Sequence, residues 1–159
     1  MGNESMKKVF VTKLTETSSK DLEGIGVIRF EGAKVYKWVS YNKGTDSVTA
    51  VIGNAVYYHG DNAVVIDSAA DVTMDLTDSD GLCAGILQSI IADGEFGWIQ
   101  IKGVAVMNIA FKAGADGNAM TAVGAATDGE LDVAALVTDA YAGYAIDVSA
   151  KIILLDCPW

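Results

Sequence analysis

Proline, histidine and arginine each occur once (Pro158, His59, Arg29) and cysteine twice among the 159 residues, and each scarcity removes something. One arginine leaves no second guanidinium for the bidentate clamps that hold phosphate or carboxylate substrates, which disfavours phosphoryl-transfer and nucleotide chemistry. One histidine, in the run Val56-Tyr57-Tyr58-His59-Gly60, leaves general acid–base work a single candidate. No Gly-x-Ser-x-Gly turn offers it a nucleophile, so a strand-end or turn histidine is the better reading, and an enzyme would need a deep pocket holding His59 beside a carboxylate. Cys83 and Cys157 lie too far apart for a zinc-knuckle spacing. Buried free thiols are the simpler reading, and a disulfide stays open because sequence does not give the separation of their Cα atoms. No apolar run reaches the roughly 18 residues a membrane span needs, and no signal-type block follows residues 1–8, so the expectation is a protein made in the cytoplasm.

Basic charge is scarce over most of the chain. Residues 1–43 hold eight basic and five acidic side chains, residues 44–159 three and sixteen, giving +3 and −13 and the net −10. An acidic body repels phosphate backbones, so nucleic acid is not the expected partner. The mildly basic leading segment suits an acidic protein surface, although lysines on solvated strand faces explain the same pattern.

Hydrophobic residues make up 51% and charged residues 20%, far from the composition of a disordered chain. One domain of this length can bury roughly 70% of its unfolded surface. Alternating β-branched, aromatic and polar residues, punctuated by 17 glycines, predict a mainly β fold. We expect a small curved sheet, barrel or sandwich of short antiparallel strands over residues 21–159, preceded by an extended N-terminal arm over residues 1–20. Strands are expected at residues 9–15, 26–31, 34–41, 47–52, 55–59, 63–67, 72–77, 82–92, 95–102 and 145–155. The turns Glu31-Gly32-Ala33, Gly53-Asn54 and Asp93-Gly94 separate several of them. Within residues 34–41, Val35, Lys37, Val39 and Tyr41 fall on one face and Tyr36, Trp38 and Ser40 on the other. In residues 145–155 the apolar face is expected to hold Ile146, Val148, Ala150, Ile152 and Leu154. Such alternation sets one face on a core and the other on water or a partner.

Two constellations have binding chemistry. Asp61, Asp67, Asp71, Asp75, Asp78 and Asp80 crowd twenty residues, but Asp78-Ser79-Asp80-Gly81 lacks the further ligands of a calcium loop, and solvated turns are the simpler reading. The aromatics Tyr36, Trp38, Tyr41, Tyr57, Tyr58, Trp98, Tyr141, Tyr144 and Trp159 suit a sugar platform or an oligomer interface, with core packing as the plainer account.

The second half has a distinctive layout. Ala84-Gly85-Ile86-Leu87 precedes Asp93-Gly94, then Phe96-Gly97-Trp98-Ile99-Gln100 and Gly103. A Gly/Ala/Asp loop, the run Ala140-Tyr141-Ala142-Gly143-Tyr144 and an aliphatic closing strand follow. Over residues 80–159 this resembles the capsid decoration, or cement, proteins of tailed bacteriophages. The resemblance implies a non-enzymatic virion protein on the capsid exterior, present in the host cytoplasm during assembly. It implies the major capsid protein as partner, a homotrimer, and no cofactor, metal, nucleic acid or membrane. Lys7, Lys8 and Phe10 are the candidate shell-contact residues of the arm, because a β-prone basic segment can add to an exposed sheet edge. Phe96, Trp98 and Gln100 are the candidate oligomer or sheet-packing residues. The alternative function is a glycan- or receptor-binding module of a fibre or adhesin, using exposed aromatics near the Asp-rich loops.

Overall fold

The computed structural model describes residues 8–60 and 70–158. The chain is mainly β, as the alternation predicts. Among the described residues ten strands form one sheet: β1 (Ile28–Glu31), β2 (Lys34–Tyr41), β3 (Ala55–His59), β4 (Asp71–Thr73), β5 (Ser79–Leu87), β6 (Phe96–Val106), β7 (Ala119–Thr121), β8 (Asp132–Val133), β9 (Tyr141–Asp147) and β10 (Ile152–Asp156). A single turn of 3-10 helix, Leu76–Asp78, precedes β5.

The sheet returns on itself. Its order is β1-β2-β4-β3-β5-β6-β10-β9-β7-β8, and β6 also pairs with β2. Five strands, β2, β4, β3, β5 and β6, therefore make a small barrel-like ring. The closing register runs from Val35 opposite Lys102 to Ser40 opposite Phe96. The pairs are antiparallel except β2–β4, where Ser40 lies beside Asp71 in parallel. Ring closure hides edges that would otherwise template aggregation.

β6 joins the ring to a second, outlying sheet. One of its edges serves β2, while the other serves β5 at Ile99–Gln100 and β10 at Lys102–Val106. The change of partner is held locally: the Gln100 side-chain amide donates to Lys102 O and Val104 O, each at 3.1 Å. Glycine is required here, because Gly103 has φ 92° and a Cβ would stand 2.6 Å from Ala33 O in the β1–β2 turn. Gly85 of β5 allows a similar approach, its absent Cβ falling 2.5 Å from Gln100 O. Beyond β10, strands β9, β7 and β8 continue the outlying sheet, and Ala55 N donates to Gly129 O where its loops fold back on the ring.

Alternation on β2 and β6 sorts their side chains as the sequence predicts. Val35, Val39, Tyr41, Ile99 and Ile101 enter the main core. Tyr36, Trp38 and Trp98 lie on the opposite side in a separate apolar cluster. Lys37 points with the core set; it is buried, and its Nζ donates to Tyr58 Oη at 3.0 Å and sits 5.1 Å from that ring's centroid. Burial lowers its pKa, since desolvation disfavours the ammonium.

Several expected strands are absent or shorter. Residues 9–15 form no strand, because the amides of Val11 and Thr12 bond the Glu23 carboxylate and not a neighbouring backbone. Residues 47–52 are turn and irregular chain starting from Ser47 at φ 56°, with the Tyr41 hydroxyl donating to Val48 O. The strand at 72–77 stops at Thr73, where Asp75 caps the 3-10 turn. The strand at 82–92 starts three residues earlier and ends at Leu87. The single strand expected at 145–155 is a hairpin of β9 and β10: Asp147 Oδ1 accepts from Ser149 Oγ and Ala150 N, and Lys151 turns the chain at φ 59°. Its faces are also reversed, with Ala145, Ile153 and Leu155 in the core and Ile146 and Leu154 exposed. The strand expected at 63–67 lies outside the described residues.

Candidate functional site

The sheet has two apolar outer faces: among the described residues, one is covered by the chain itself and the other is not. The first is the outer face of β2 and β6, carrying Trp38 and Trp98, whose rings meet edge to face at 5.2 Å. Residues 8–25 lie across it. Phe10 packs edge-on to Trp98 at 5.5 Å, Trp98 Nε1 donates to Thr12 Oγ1 at 2.9 Å, and Trp38 Nε1 donates to Asp21 Oδ1 at 2.9 Å. Two carboxylates fasten this cover. Buried Glu23 accepts from Val11 N, Thr12 N and Thr12 Oγ1 at 2.7–2.9 Å. Asp21 accepts from Gly24 N and Ile25 N, shaping the turn behind it. Arg29 lies over both the Phe10 and Trp98 rings, 5.1 and 5.5 Å from their centroids, and donates to Thr12 O. A cation over desolvated rings adds to the attraction.

The arm is therefore extended chain laid on its own domain from Lys8 onward. Lys8 Nζ donates to Glu23 O at 2.5 Å, and Lys7 lies outside the described residues. Phe10, nominated for shell contact, is engaged by Trp98. Among the second trio, Trp98 is fully buried, Phe96 stacks on Trp38 at 6.4 Å, and Gln100 is buried in the clamp at Gly103. All three make contacts within the chain.

The uncovered surface is the outer face of β6, β10 and β9. Cross-strand partners share a face, and Leu154 stands between Val104 of β6 and Tyr144 of β9, with Ile152 opposite Val106 in the next row. Val104, Val106, Tyr144, Ile146 and Leu154 are each 45–62% exposed. Tyr141 joins them, its ring 6.2 Å from that of Tyr144. One ion pair, Lys102 with Asp156, borders the patch. Sequence reasoning missed this face because it read the β9–β10 hairpin as one strand; the signal was the Asp147-Val148-Ser149 sequence, a side-chain-capped turn.

The histidine and the aspartates are separate from both surfaces. His59 Nδ1 is 3.4 Å from Asp71 Oδ2, beside an open depression of about 340 Å³ lined by Asn42, Gly44, Thr45, His59 and Asp78. Asp71 also accepts from Ser40 Oγ at 2.8 Å. Ser79, opposite His59 across the β3–β5 pair, donates its hydroxyl to Leu76 O and not to the histidine. Asp80 closes a turn by accepting from Leu82 N, and Asp78 ties the 3-10 turn to a distant loop by accepting from Thr45 N. Asp75 is buried, and burial alone would push its pKa up. Bonds from the Thr77 hydroxyl and from the Asp46, Thr77 and Asp78 amides outweigh that and hold it below the ordinary value. Asp61 and Asp67 lie outside the described residues. Among the described residues, no three His, Cys, Asp or Glu side chains converge as a metal-ligand set.

Compared with known proteins, the chain matches no family model, no curated protein and no solved structure.

Proposed function

We propose that this chain is a non-enzymatic structural protein of a virion, a capsid decoration protein that binds the outside of a phage shell as a homo-oligomer, a trimer by the family pattern, and stiffens it. The observation that carries the reading is the uncovered apolar face around Leu154. Contiguous exposed apolar patches on soluble domains mark protein contacts, and this one lies on rigid paired strands, where a docking surface keeps its shape on binding. The resemblance over residues 80–159 supports the choice of a phage shell as the setting. Acidity is consistent with it, since a net −10 keeps a capsid-exterior protein away from nucleic acid. Contact with the major capsid protein is assigned to the leading residues, with Lys7 and Lys8 as its charges, and the protein is placed in the host cytoplasm before assembly.

Leu154→Asp tests the reading. The variant, folded by circular dichroism, is expected to lose self-association in sedimentation and occupancy on phage shells stripped of their decoration protein. A wild-type protein that stays monomeric and never occupies shells would end the proposal. The exposed Tyr141–Tyr144 pair favours one second reading, a glycan- or receptor-binding module, because paired aromatics make a stacking platform for sugars. A glycan array read with and without calcium separates the two, as a decoration protein gives no specific signal.

A further inference from the structure

The two cysteines are 74 positions apart and stand Sγ to Sγ at 3.7 Å, about 1.7 Å more than a disulfide bond. Each is enclosed in the core and carries a free thiol. Their place in the fold gives the proximity a meaning. Cys83 lies on β5, opposite Tyr57 of β3, inside the ring. Cys157 follows β10, in the outlying sheet, and its amide donates to Ile101 O at 3.0 Å. β5 and β10 share one edge of β6, and Ile101 sits between their stretches. The sulfurs thus face each other across the seam where ring and outlying sheet meet.

We propose that Cys83 and Cys157 form a redox modification site, a dithiol that a peroxide-class oxidant converts into a disulfide stapling the exit of β10 to β5. The chemistry balances with one peroxide. One thiolate attacks a peroxide oxygen, the O–O bond breaks, and a sulfenic acid forms while the departing hydroxide takes up the proton that thiol released, giving one water. The second sulfur then attacks the first, the S–O bond breaks, and the hydroxyl leaves with the second thiol's proton as a second water. Both sulfurs are oxidised by one electron each and the peroxide oxygens are reduced. The first step is slow in the folded protein, because the thiolate is the nucleophile and the Cys83 contact and burial push the Cys157 thiol up. The second is fast, because the partner sulfur already stands beside the first. Sulfenic acid should therefore not accumulate.

The test treats the folded full chain with hydrogen peroxide at mildly alkaline pH. Intact mass should fall by two hydrogens, a peptide map should join the Cys83 and Cys157 fragments, and dimedone should trap no sulfenic acid. The melting temperature should rise by roughly 5–10 °C and return on reduction. Cys83→Ala and Cys157→Ala should each abolish the mass loss and yield dimedone adducts. The map reads the wild-type protein directly, so the result does not depend on either variant folding. Thiols still free when methionine added to the same solution is fully oxidised, sulfur atoms that only gain oxygen, cross-links between molecules, or a linked form no more stable than the reduced one would each overturn the proposal.

Discussion

Single side chains decide whether the cover over the tryptophans holds. Glu23 satisfies three donors at once, so Glu23→Ala leaves the Thr12 amide and hydroxyl without this acceptor in a buried site and frees the half-exposed Val11 amide. Lost bonds to a charged acceptor cost roughly 1.5–3 kcal/mol, and we expect a loss of about that size in urea unfolding, with the Trp98 emission shifted to the red. Asp75 governs the acid side of the stability curve. Its carboxyl is held below the ordinary value in the folded chain, so its contribution is fully present above the unfolded pKa, about 3.9, and is lost as pH falls through the folded value. Denaturation midpoints measured from pH 6 downward should drop in that acid window for the wild type. Asp75→Asn should start lower and change less across it. Neither role is legible in the sequence, where Glu23 and Asp75 read as two more surface acids. Nothing in the residue order says that Val11 will reach Glu23, or that Asp46 and Thr77 will converge on Asp75.

Strands and turns were legible where a local rule suffices. The two-residue turn at Gly32-Ala33 and the opposed faces of β2 follow from glycine's freedom and a period of two. The period failed at β9–β10 because both arms of a hairpin alternate, and a turn closed by Asp147 with Lys151 at positive φ contains no glycine or proline to announce it. Residues 9–15 failed for another reason. Their β-branched pattern is real, yet the donors that would make a strand are taken by a carboxylate twelve positions away. The Gly103 bend is a direct test of element geometry. Gly103→Ala places a methyl against Ala33 O at positive φ, and a strained backbone of this kind costs about 1–3 kcal/mol; thermal melting should show the loss without a change in β content. The cover can be tested by length. Removing residues 1–15 strips Phe10 and Thr12 from Trp98. The deletion should lower the melting temperature and increase quenching of tryptophan emission by iodide.

At the scale of the molecule, the mainly β class was readable from composition and alternation, but the ring was not. Its closure pairs Val35 with Lys102, and no local pattern reports which distant strand a given strand will choose. The candidate contact face was hidden by the same limit: exposure of Leu154 depends on what β10 packs against. Tyr144→Asp, on the same face, should leave the stability within about 0.5 kcal/mol of wild type, as surface changes usually do, while reducing self-association, the outcome expected also of Leu154→Asp. Equal stability with unchanged association would move the contact elsewhere.

Because β2 is completed only by β6, and the second half of β6 only by β10, the order in which the chain is synthesised differs from the order in which it can settle. A strand made early must wait for a partner some sixty residues downstream, and long-range closure of this kind slows folding and leaves incomplete chains adhesive. The ribosome's pace and the crowding of nascent chains then bear on yield as much as the stability of the finished ring does.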